Sequence, residues 1–568
     1  MKKPLEFAVV LLERLRPSDW QRTLAWAALV GFTGALATLG FRIALGAVET
    51  LLYGTAGGLV EAAESLSWWH RLVAPAVGGL LAGLVLVALR RLPQRTPHGD
   101  YMEATVLGRG DLPVASSLLR ALSSACSVIG GGAIGREGPM VQLAALTGSV
   151  VARWLGMPVP RRRLLVACGA AAGLATAYGA PIAGALFIAE IVLQSLATET
   201  LAALLIASVC AHATVAALVG TQPLYTMPPV SPTGAALGAC GVLGFLAGVC
   251  APVYLGLLDL SKAAFAAWRV PLPLKLAAGG LAVGLLSLQA PQVWGNGFSV
   301  VNGILQGHWV WQGLVIVLAL KLAAVAATTG SGAVGGIFTP TLFVGAASGG
   351  LFALAADAFW PGALPVPAGA AIGMGAFLAA STHAPLTSIL MIFEMTENYG
   401  IVAPLMLACV LAFSFSRLIR PDSIYASSQR AKAVADPRVA TARDLVRDES
   451  ITVVPGDSIE AVEQRLVESR WRHVYVVDAG RVFLGAIAMH DLVGLLKEAH
   501  DAGAPWPPQL LQSGYPRLAM DMPLWEVLRV FEDHPGERLP VLDAAGRLAG
   551  HIAKTDLVLM LRDQVAVA

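Results

Sequence analysis

The stretch "GGGAIGREGPM" at residues 130–140 places an arginine and a glutamate, Arg136 and Glu137, between glycines in an otherwise apolar region. A second stretch, "GGIFTP" at residues 335–340, repeats its spacing of glycine and proline. In both stretches flexible glycines precede a proline, which is tolerated in the first turn of a helix. Each stretch is therefore predicted to be a loop that leads into the N-terminus of a helix.

The composition of the chain predicts that a lipid bilayer surrounds these loops. Of 568 residues, 56% are hydrophobic and only 13% are charged, whereas soluble domains carry about 25% charged residues. Residues 164–189 and 200–258 contain no Asp, Glu, Lys or Arg, and about 20 apolar residues cross a bilayer. The 39 basic and 37 acidic residues nearly balance, so net charge gives no reason to expect a nucleic-acid partner.

The character of the sequence changes near residue 425, where charged residues return at the density of a soluble domain. An all-α polytopic membrane domain is predicted at 20–427, followed by a linker at 428–441 and a soluble α/β domain at 442–568. Residues 1–19 are predicted to form a cytoplasmic interfacial helix, because the apolar run there is mixed with charge and lacks a small-residue cleavage site.

The membrane domain contains an internal repeat. "APIAGALFIAE" at 180–190 matches "APLTSILMIFE" at 384–394, at nearly the same offset that separates the two loops. Two motif pairs at one offset predict two homologous halves, about 20–220 and 233–427, of the inverted-repeat type whose broken helices meet at the midplane. Because helix N-termini carry partial positive charge and unpaired N–H groups, their meeting point is predicted to bind an anion.

Glu137 lies where this anion would bind. A carboxylate is a tethered anion, so it can occupy the site in competition with a free one, and protonation would release it. An ion pair with Arg136 explains the glutamate poorly, because adjacent helical residues point apart. "GGGAIG" also matches a dinucleotide-binding spacing, but no strand precedes it.

Other functional classes find little support in the sequence. His212, His308 and His383 lie in or near apolar segments, but no metal-binding or Cys–His spacing accompanies them, and the six cysteines stand singly. No enzyme activity, metal or obligatory cofactor is therefore predicted. A cation transporter would need several carboxylates inside the membrane, and the membrane half offers few beyond Glu137, Glu190, Glu394 and Glu397.

"GREGP", "GGIFTP" and the tyrosine of "DSIYASS" resemble the signature of the CLC family of chloride channels and chloride/proton antiporters. The resemblance implies the CLC-type fold, a homodimer with one pore per subunit, and Glu137 as the gating and proton-accepting glutamate. It also implies that the backbone amides of Ile337 and Phe338 and the hydroxyl of Tyr425 bind the central chloride. The full set of anion-binding positions that it implies is Gly99, Gly135, Arg136, Gly138, Gly336, Ile337, Phe338 and Tyr425.

The first filter motif of that family, G-S-G-I-P-E, has no clean counterpart in the chain. The preferred match is "HGDYME" at 98–103, in which Gly99 stands where the central serine belongs. A second candidate is "GRGDLP" at 108–113, which holds Arg109 at that position. Because both lack the serine hydroxyl, fluoride and nitrate remain alternative substrates.

A second departure from the family concerns protons. Its antiporters usually carry two successive acidic residues in an "FIIEE"-like segment, whereas this chain reads "FIAEIV", with Glu190 followed by Ile191. Glu190 either serves a proton route through water or has a structural role shared with its counterpart Glu394. The missing acid favours a passive channel, while the retained Glu137 is compatible with a channel and with an antiporter.

The soluble region contains a repeat that resembles a pair of CBS domains, at about 442–500 and 508–565. "RHVYVVDAGRVFLGAIAMHDLVGLL" begins at residue 472, and "ERLPVLDAAGRLAGHIAKTDLVLML" begins at residue 537. This part is expected to face the cytoplasm and to modulate transport by a multi-pass protein of the cell membrane. The arginines at 90–91 and 161–163 are predicted to lie on the same side.

Such CBS pairs commonly bind adenine nucleotides, which implies Asp491 and Asp556 as ribose ligands. The hydroxyl residue expected nearby is replaced by Ala488 and Ala553. An aspartate at a helix start also caps backbone amides. Nucleotide binding and simple helix capping therefore both stay open for the two aspartates.

Overall fold

The computed structural model of the chain describes residues 19–54, 58–91, 100–106, 108–220, 222–229, 234–362, 364–425, 441–447, 450–469, 472–491, 505–534 and 536–557. The predicted N-terminal helix, Gly99 and the predicted linker lie wholly or mostly outside these residues. The chain forms two compact units, residues 1–428 and 429–568.

In the described residues of the first half of the membrane unit, helices joined by loops and turns make up the regular structure. Its helices are α1 (Asp19–Tyr53), α2 (Leu59–Ser65), α3 (Trp68–Arg90), α4 (Tyr101–Val106), α5 (Val114–Ile129), α6 (Glu137–Trp154), α7 (Val159–Tyr178), α8 (Pro181–Phe187) and α9 (Thr198–Val219). A π-helical turn, Ile188–Val192, extends α8.

The second half is helical as well. Its helices are α10 (Gly234–Ala267), α11 (Leu272–Ser287), α12 (Phe298–Leu305), α13 (Trp311–Gly330), α14 (Phe338–Phe359), α15 (Val366–Thr382), α16 (Pro385–Thr396) and α17 (Val402–Ile419). Short 3₁₀ turns, Pro291–Val293 and Tyr399–Ile401, precede α12 and α17. Helices α6 and α14, which follow the two glycine loops, thus occupy equivalent places in the two halves.

Within the described residues, seven helices are long and apolar enough to cross a membrane: α1, α3, α9, α10, α13, α14 and α17 with its preceding turn. Large apolar side chains such as Leu51, Val253 and Leu260 are exposed on them. Lipid satisfies such surfaces, and helices satisfy their own backbone hydrogen bonds there. The prediction of an all-α polytopic membrane protein is confirmed.

Helices α3 and α11 approach each other through glycines. A Cβ atom on Gly280 of α11 would lie only 1.9 Å from the Pro75 carbonyl oxygen of α3, and one on Gly79 only 2.2 Å from the Leu276 carbonyl oxygen. Small residues permit this backbone contact, which gives membrane helices their packing energy.

Replacing Gly280 with valine is expected to destabilise the membrane unit by about 3 kcal/mol, because the two helix backbones must separate. Thermal unfolding of the detergent-solubilised protein measures this loss. Gly256→Val on α10 is the matched control, since a Cβ atom on Gly256 would have no atom within 4 Å apart from the neighbouring backbone of its own helix. Equal unfolding temperatures for the two variants would contradict the expectation.

The soluble unit consists of two equivalent three-stranded sheets. The first contains β1 (Thr452–Val453), β2 (His473–Val477) and β3 (Phe483–Ala488), and the second contains β4 (Leu518–Ala519), β5 (Arg538–Leu542) and β6 (Leu548–Ala553). In each sheet the first pair is parallel and the second antiparallel, with a register shift at the same place. Helices α18 (Ile459–Ser469) and α19 (Leu524–Asp533) accompany the sheets.

The two repeats of the soluble unit share a hydrophobic core. Tyr475 and Phe483 from the first repeat pack in one cluster with Leu539 and Val541 from the second. A CBS-type pair buries its apolar surface in this way, and the predicted α/β repeat is confirmed.

Candidate functional site

Gly135 and Gly336 join the two halves of the membrane unit. The Gly135 amide donates to the Gly336 carbonyl at 2.8 Å, and the Gly336 amide donates to the Gly135 carbonyl at 2.8 Å. The two glycine loops therefore run antiparallel and contact each other at equivalent positions. Such reciprocal pairing is the geometry expected where two inverted repeats meet.

Helices α6 and α14 begin beside this bridge, at Glu137 and Phe338. The preceding residues, Arg136 and Ile337, make no side-chain hydrogen bond that caps either helix. These two side chains thus leave the first backbone amides uncapped, and both helix dipoles add positive potential at the same place. The meeting point of the two halves is therefore suited to a negatively charged group.

The Glu137 carboxylate folds back onto the bridge. Its side chain is 6% exposed, and Oε1 accepts a hydrogen bond from the Thr339 hydroxyl. A Cβ atom on Gly135 would lie 1.7 Å from Oε2, and one on Gly336 would lie 2.7 Å from it. Only glycine at these two positions leaves room for the carboxylate. This explains why glycines precede the charged residue in its own loop and stand opposite it in the other loop.

Aromatic rings connect the second glycine loop with the end of the membrane unit. The Phe338 ring lies 4.9 Å from that of Tyr178 and 5.9 Å from that of Phe187, and the Phe187 ring lies 5.6 Å from that of Tyr425. Phe338 and Tyr425, which the sequence singled out from distant motifs, thus lie in one aromatic cluster. Tyr425 also interacts electrostatically with Glu137.

Sequence reasoning missed three residues of this region: Tyr178, Phe187 and Thr339. Thr339 stands inside the quoted motif "GGIFTP", and Phe187 stands inside the repeated "APIAGALFIAE". The occurrence of Thr339 and Phe187 inside repeated motifs was the sequence signal that could have identified them. The spacing of a motif does not, however, show which side chain faces the carboxylate.

The two candidates for the first filter motif lie in different surroundings. Asp100, beside Gly99 in the preferred match, directly precedes α4 and interacts electrostatically with Tyr425. In the other match, Asp111 is paired with Arg162 of α7 at 2.6 Å, and the Gly108 carbonyl accepts from Arg163 at 2.7 Å. The residues at 100–103 are therefore the better candidate for a wall of the site.

Glu190 and Glu394 each cap the start of a helix in the opposite half of the membrane unit. Glu190 accepts from the Thr387 amide at 2.8 Å and from the Thr387 hydroxyl at 2.6 Å, at the start of α16. Glu394 accepts from the Ala183 amide at 2.7 Å and the Ile182 amide at 3.0 Å, at the start of α8. This reciprocal arrangement satisfies free amides at both helix starts, so the structural reading of Glu190 has a specific geometric basis.

Arg136 lies near two charged residues of α1. It interacts electrostatically with Arg42 and Glu49, which lie on that helix. Gly138 follows Glu137 in the first turn of α6, and a Cβ atom on it would lie 3.2 Å from the Gly336 nitrogen. Both positions thus border the bridge, with the arginine contributing charge and the glycine permitting close approach.

Both CBS aspartates interact with residues of the soluble unit. Asp556 pairs with Arg447 and accepts from the Ala553 amide at 3.3 Å. Asp491 accepts from the Gln512 amide group at 3.1 Å. These contacts support the capping and structural reading, because a nucleotide ribose would have to compete for the same carboxylates.

A cleft between the CBS repeats is rich in titratable groups. Arg472, His473, Tyr475, Glu537 and Arg538 line it. The Tyr515 ring lies 5.1 Å from His473 and 4.9 Å from His534. Burial lowers the pKa of both His473 and His534 below the ordinary 6.5. The neighbouring His534 lowers the pKa of His473 further, and Lys554 lowers the pKa of His534 further. His490 and Arg472 also lower the pKa of His473, while Asp491 raises it.

Acidification is expected to destabilise this cleft. The lowered histidine pKa values mean that, as pH falls through 6.5, the unfolded state binds protons that the folded state does not. Stability should be unaffected at about pH 7.5 and reduced at about pH 5.5. Hydrogen exchange of β2 and β5 in the full-length protein, corrected for intrinsic rates, measures the loss. The double variant His473→Gln/His534→Gln should lack most of it, and an unchanged pH dependence would contradict the expectation.

Two family models match the chain. The model described as voltage gated chloride channel matches residues 78–417, and the CBS domain model matches residues 442–498 and 511–563. The first match covers more than half of the chain and contains both glycine loops.

Curated relatives agree with these matches. A ClcB-like chloride channel protein of Ralstonia nicotianae is 51% identical over 410 residues, which is 71% of this chain and 95% of the relative. The voltage-gated ClC-type chloride channel ClcB of Salmonella dublin is 44% identical over 412 residues, 71% of this chain and 98% of the relative.

Solved structures share the fold. A slow cyanobacterial Cl⁻/H⁺ antiporter is 26% identical with a TM-score of 0.64, over 72% of this chain and 98% of the antiporter. A eukaryotic CLC transporter is 18% identical with a TM-score of 0.62, over 94% of this chain and 98% of that structure, which supports the fold alone. The chain therefore belongs to the CLC family of voltage-gated chloride channels, with a CBS-domain pair following its membrane unit.

Proposed function

We propose that the chain conducts chloride across the membrane and that the Glu137 carboxylate is the gate. The observation that carries this proposal is the position of the carboxylate on the Gly135–Gly336 bridge, beside the starts of α6 and α14. Helix N-termini without side-chain caps attract anions, so a chloride ion and the carboxylate compete for the same place.

The central chloride ligands in this proposal are the backbone amides of Ile337 and Phe338 and the Tyr425 hydroxyl. The aromatic contacts that join Phe338, Phe187 and Tyr425 support a common site. No filter serine contributes a hydroxyl, so backbone amides carry more of the selectivity. Fluoride and nitrate remain alternative substrates, and competition by either anion against chloride flux distinguishes them.

We favour passive conduction over proton coupling. Ile191 stands at the second acidic position of the family's antiporters and is 3% exposed, so no proton carrier occupies that place. Glu190 is engaged at the start of α16, which supports a structural use of this first acid.

Proton-coupled antiport is the second candidate, and one observation favours it. Asp100 is a half-buried carboxylate that interacts electrostatically with Tyr425, as Glu137 does. A carboxylate at this position could bind a proton on the Tyr425 side of the site. It would thereby replace the acid that the family's antiporters carry at the position of Ile191. In an antiporter, Asp100→Asn would abolish proton movement and leave chloride flux.

Chloride flux in proteoliposomes, with external pH recorded alongside, tests the proposal. Flux without proton movement would support the channel, whereas uphill proton movement driven by a chloride gradient would establish the antiporter. Absence of flux for chloride, fluoride and nitrate would refute anion conduction.

The same proposal includes the assembly and the soluble unit. We infer a homodimer with one pore per subunit, as the resemblance to the family implies. The CBS pair is proposed to be cytoplasmic and to modulate transport. Adenine-nucleotide binding there would require Asp556 to exchange Arg447 for a ribose, which isothermal titration with ATP tests directly.

A further inference from the structure

Thr339 brings a hydroxyl from the second half of the membrane unit to the glutamate of the first half. It lies in the first turn of α14 and is 2% exposed. Its Oγ1 atom donates to Glu137 Oε1, so a side chain of the second half holds the carboxylate of the first.

Two hydroxyl groups, those of Tyr178 and Thr339, form a hydrogen-bonded chain that ends at Glu137, and the number of their hydrogens fixes its direction. A threonine hydroxyl has one hydrogen, which Thr339 gives to Glu137 when the carboxylate is ionised and can only accept. The Tyr178 hydroxyl lies 3.3 Å from Thr339 Oγ1, so in this state Tyr178 must be the donor of that pair. Tyr178 thereby aligns the Thr339 hydroxyl toward the carboxylate.

We propose that Thr339 is a positioning residue that holds the Glu137 gate in its blocking position, and that Tyr178 orients it. The inference rests on the proposed function, because it assumes that the carboxylate blocks chloride. Backbone amides at the helix starts serve a chloride ion and a carboxylate alike. The Thr339 hydroxyl, in contrast, contacts the carboxylate directly and therefore shifts the competition toward the closed gate.

The size of this shift follows from the bond. A hydrogen bond to a charged acceptor in a buried site changes an equilibrium by a factor of about ten or more. If the gate is closed roughly nine-tenths of the time, a tenfold loss of the closed state raises the open fraction about fivefold.

Thr339→Val removes the hydroxyl and keeps the shape of the side chain. We expect it to raise chloride flux in proteoliposomes about fivefold, and Thr339→Ser, which restores the donor, to return flux to the wild-type value. Tyr178→Phe keeps the ring against Phe338 and should raise flux by a smaller factor. Thr382→Val, which removes a buried hydroxyl that donates to the Leu378 carbonyl, is the control and should leave flux unchanged.

The Glu137→Ala variant, which lacks the gating carboxylate, distinguishes a positioning role of Thr339 from a purely structural one. In Glu137→Ala, adding Thr339→Val should produce no further rise, because the hydroxyl has no carboxylate to hold. Wild-type flux in Thr339→Val, or the same rise with and without Glu137, would overturn the inference while leaving the gate intact. If Glu137→Ala itself fails to raise flux, the proposed function fails instead. Unfolding temperatures in detergent establish that each variant is folded.

Discussion

Replacing Glu137 with alanine is expected to raise chloride flux about tenfold if its carboxylate blocks the site roughly nine-tenths of the time. The reason is that the side chain occupies the bridge that we propose as the chloride site, with Oε2 against Gly135 and Oε1 bonded to Thr339. Initial rates of chloride efflux from proteoliposomes measure the effect, with an ionophore present to dissipate the membrane potential.

Two further variants make this result interpretable. Glu137→Gln keeps the shape but removes the charge, so it should also raise flux and, in an antiporter, lose proton movement. Glu199→Ala removes an exposed first-turn glutamate from α9 and should leave flux unchanged. Wild-type flux in both Glu137 variants would show that this carboxylate is not the gate.

The meeting of the two halves was predictable from sequence because it depends on backbone chemistry. Glycine followed by proline at matched offsets predicts two broken helices, and the structure joins Gly135 to Gly336 by two hydrogen bonds. The family and the fold class are likewise confirmed. What the spacing could not give is the conformation of the Glu137 side chain, which depends on partners from both halves.

The sequence repeat leaves two roles open for Glu190, a proton route and a structural contact. Its counterpart Glu394 suggested a shared structural role, but the sequence could not say what either residue contacts. Each carboxylate proves to accept hydrogen bonds at the start of a helix in the opposite half, a relation between residues about 200 positions apart. Long-range reciprocity of this kind has no local sequence signal.

Other omissions have the same physical origin. The family motif predicts a serine at Gly99 and gives no role to the neighbouring Asp100, although the Asp100 carboxylate interacts with Tyr425. In the soluble unit, the repeat predicts that Asp556 is either a helix cap or a ribose ligand. Its partner Arg447 lies outside the repeated stretch, so the repeat could not reveal it.

Gly135→Ala is expected to reduce chloride flux at least about tenfold, even when the gate has been removed by Glu137→Ala. The added Cβ atom would lie 1.7 Å from the place that Glu137 Oε2 occupies, which in our proposal is the place of the anion. With the glutamate absent, the methyl group therefore takes the room of chloride rather than that of a side chain. Comparing efflux rates of Glu137→Ala with and without Gly135→Ala isolates this effect from gating.

Gly40→Ala in the Glu137→Ala background is the matched control, because its Cβ on α1 would have no atom within 4 Å apart from the neighbouring backbone of its own helix. It should leave efflux unchanged, so a loss confined to Gly135→Ala cannot come from the glycine substitution alone. Unaltered flux in the Gly135 variant, with an unchanged unfolding temperature, would mean that chloride does not pass over the bridge. In that case the carboxylate on the glycines would be a structural contact, and the anion path would have to lie elsewhere in the membrane unit.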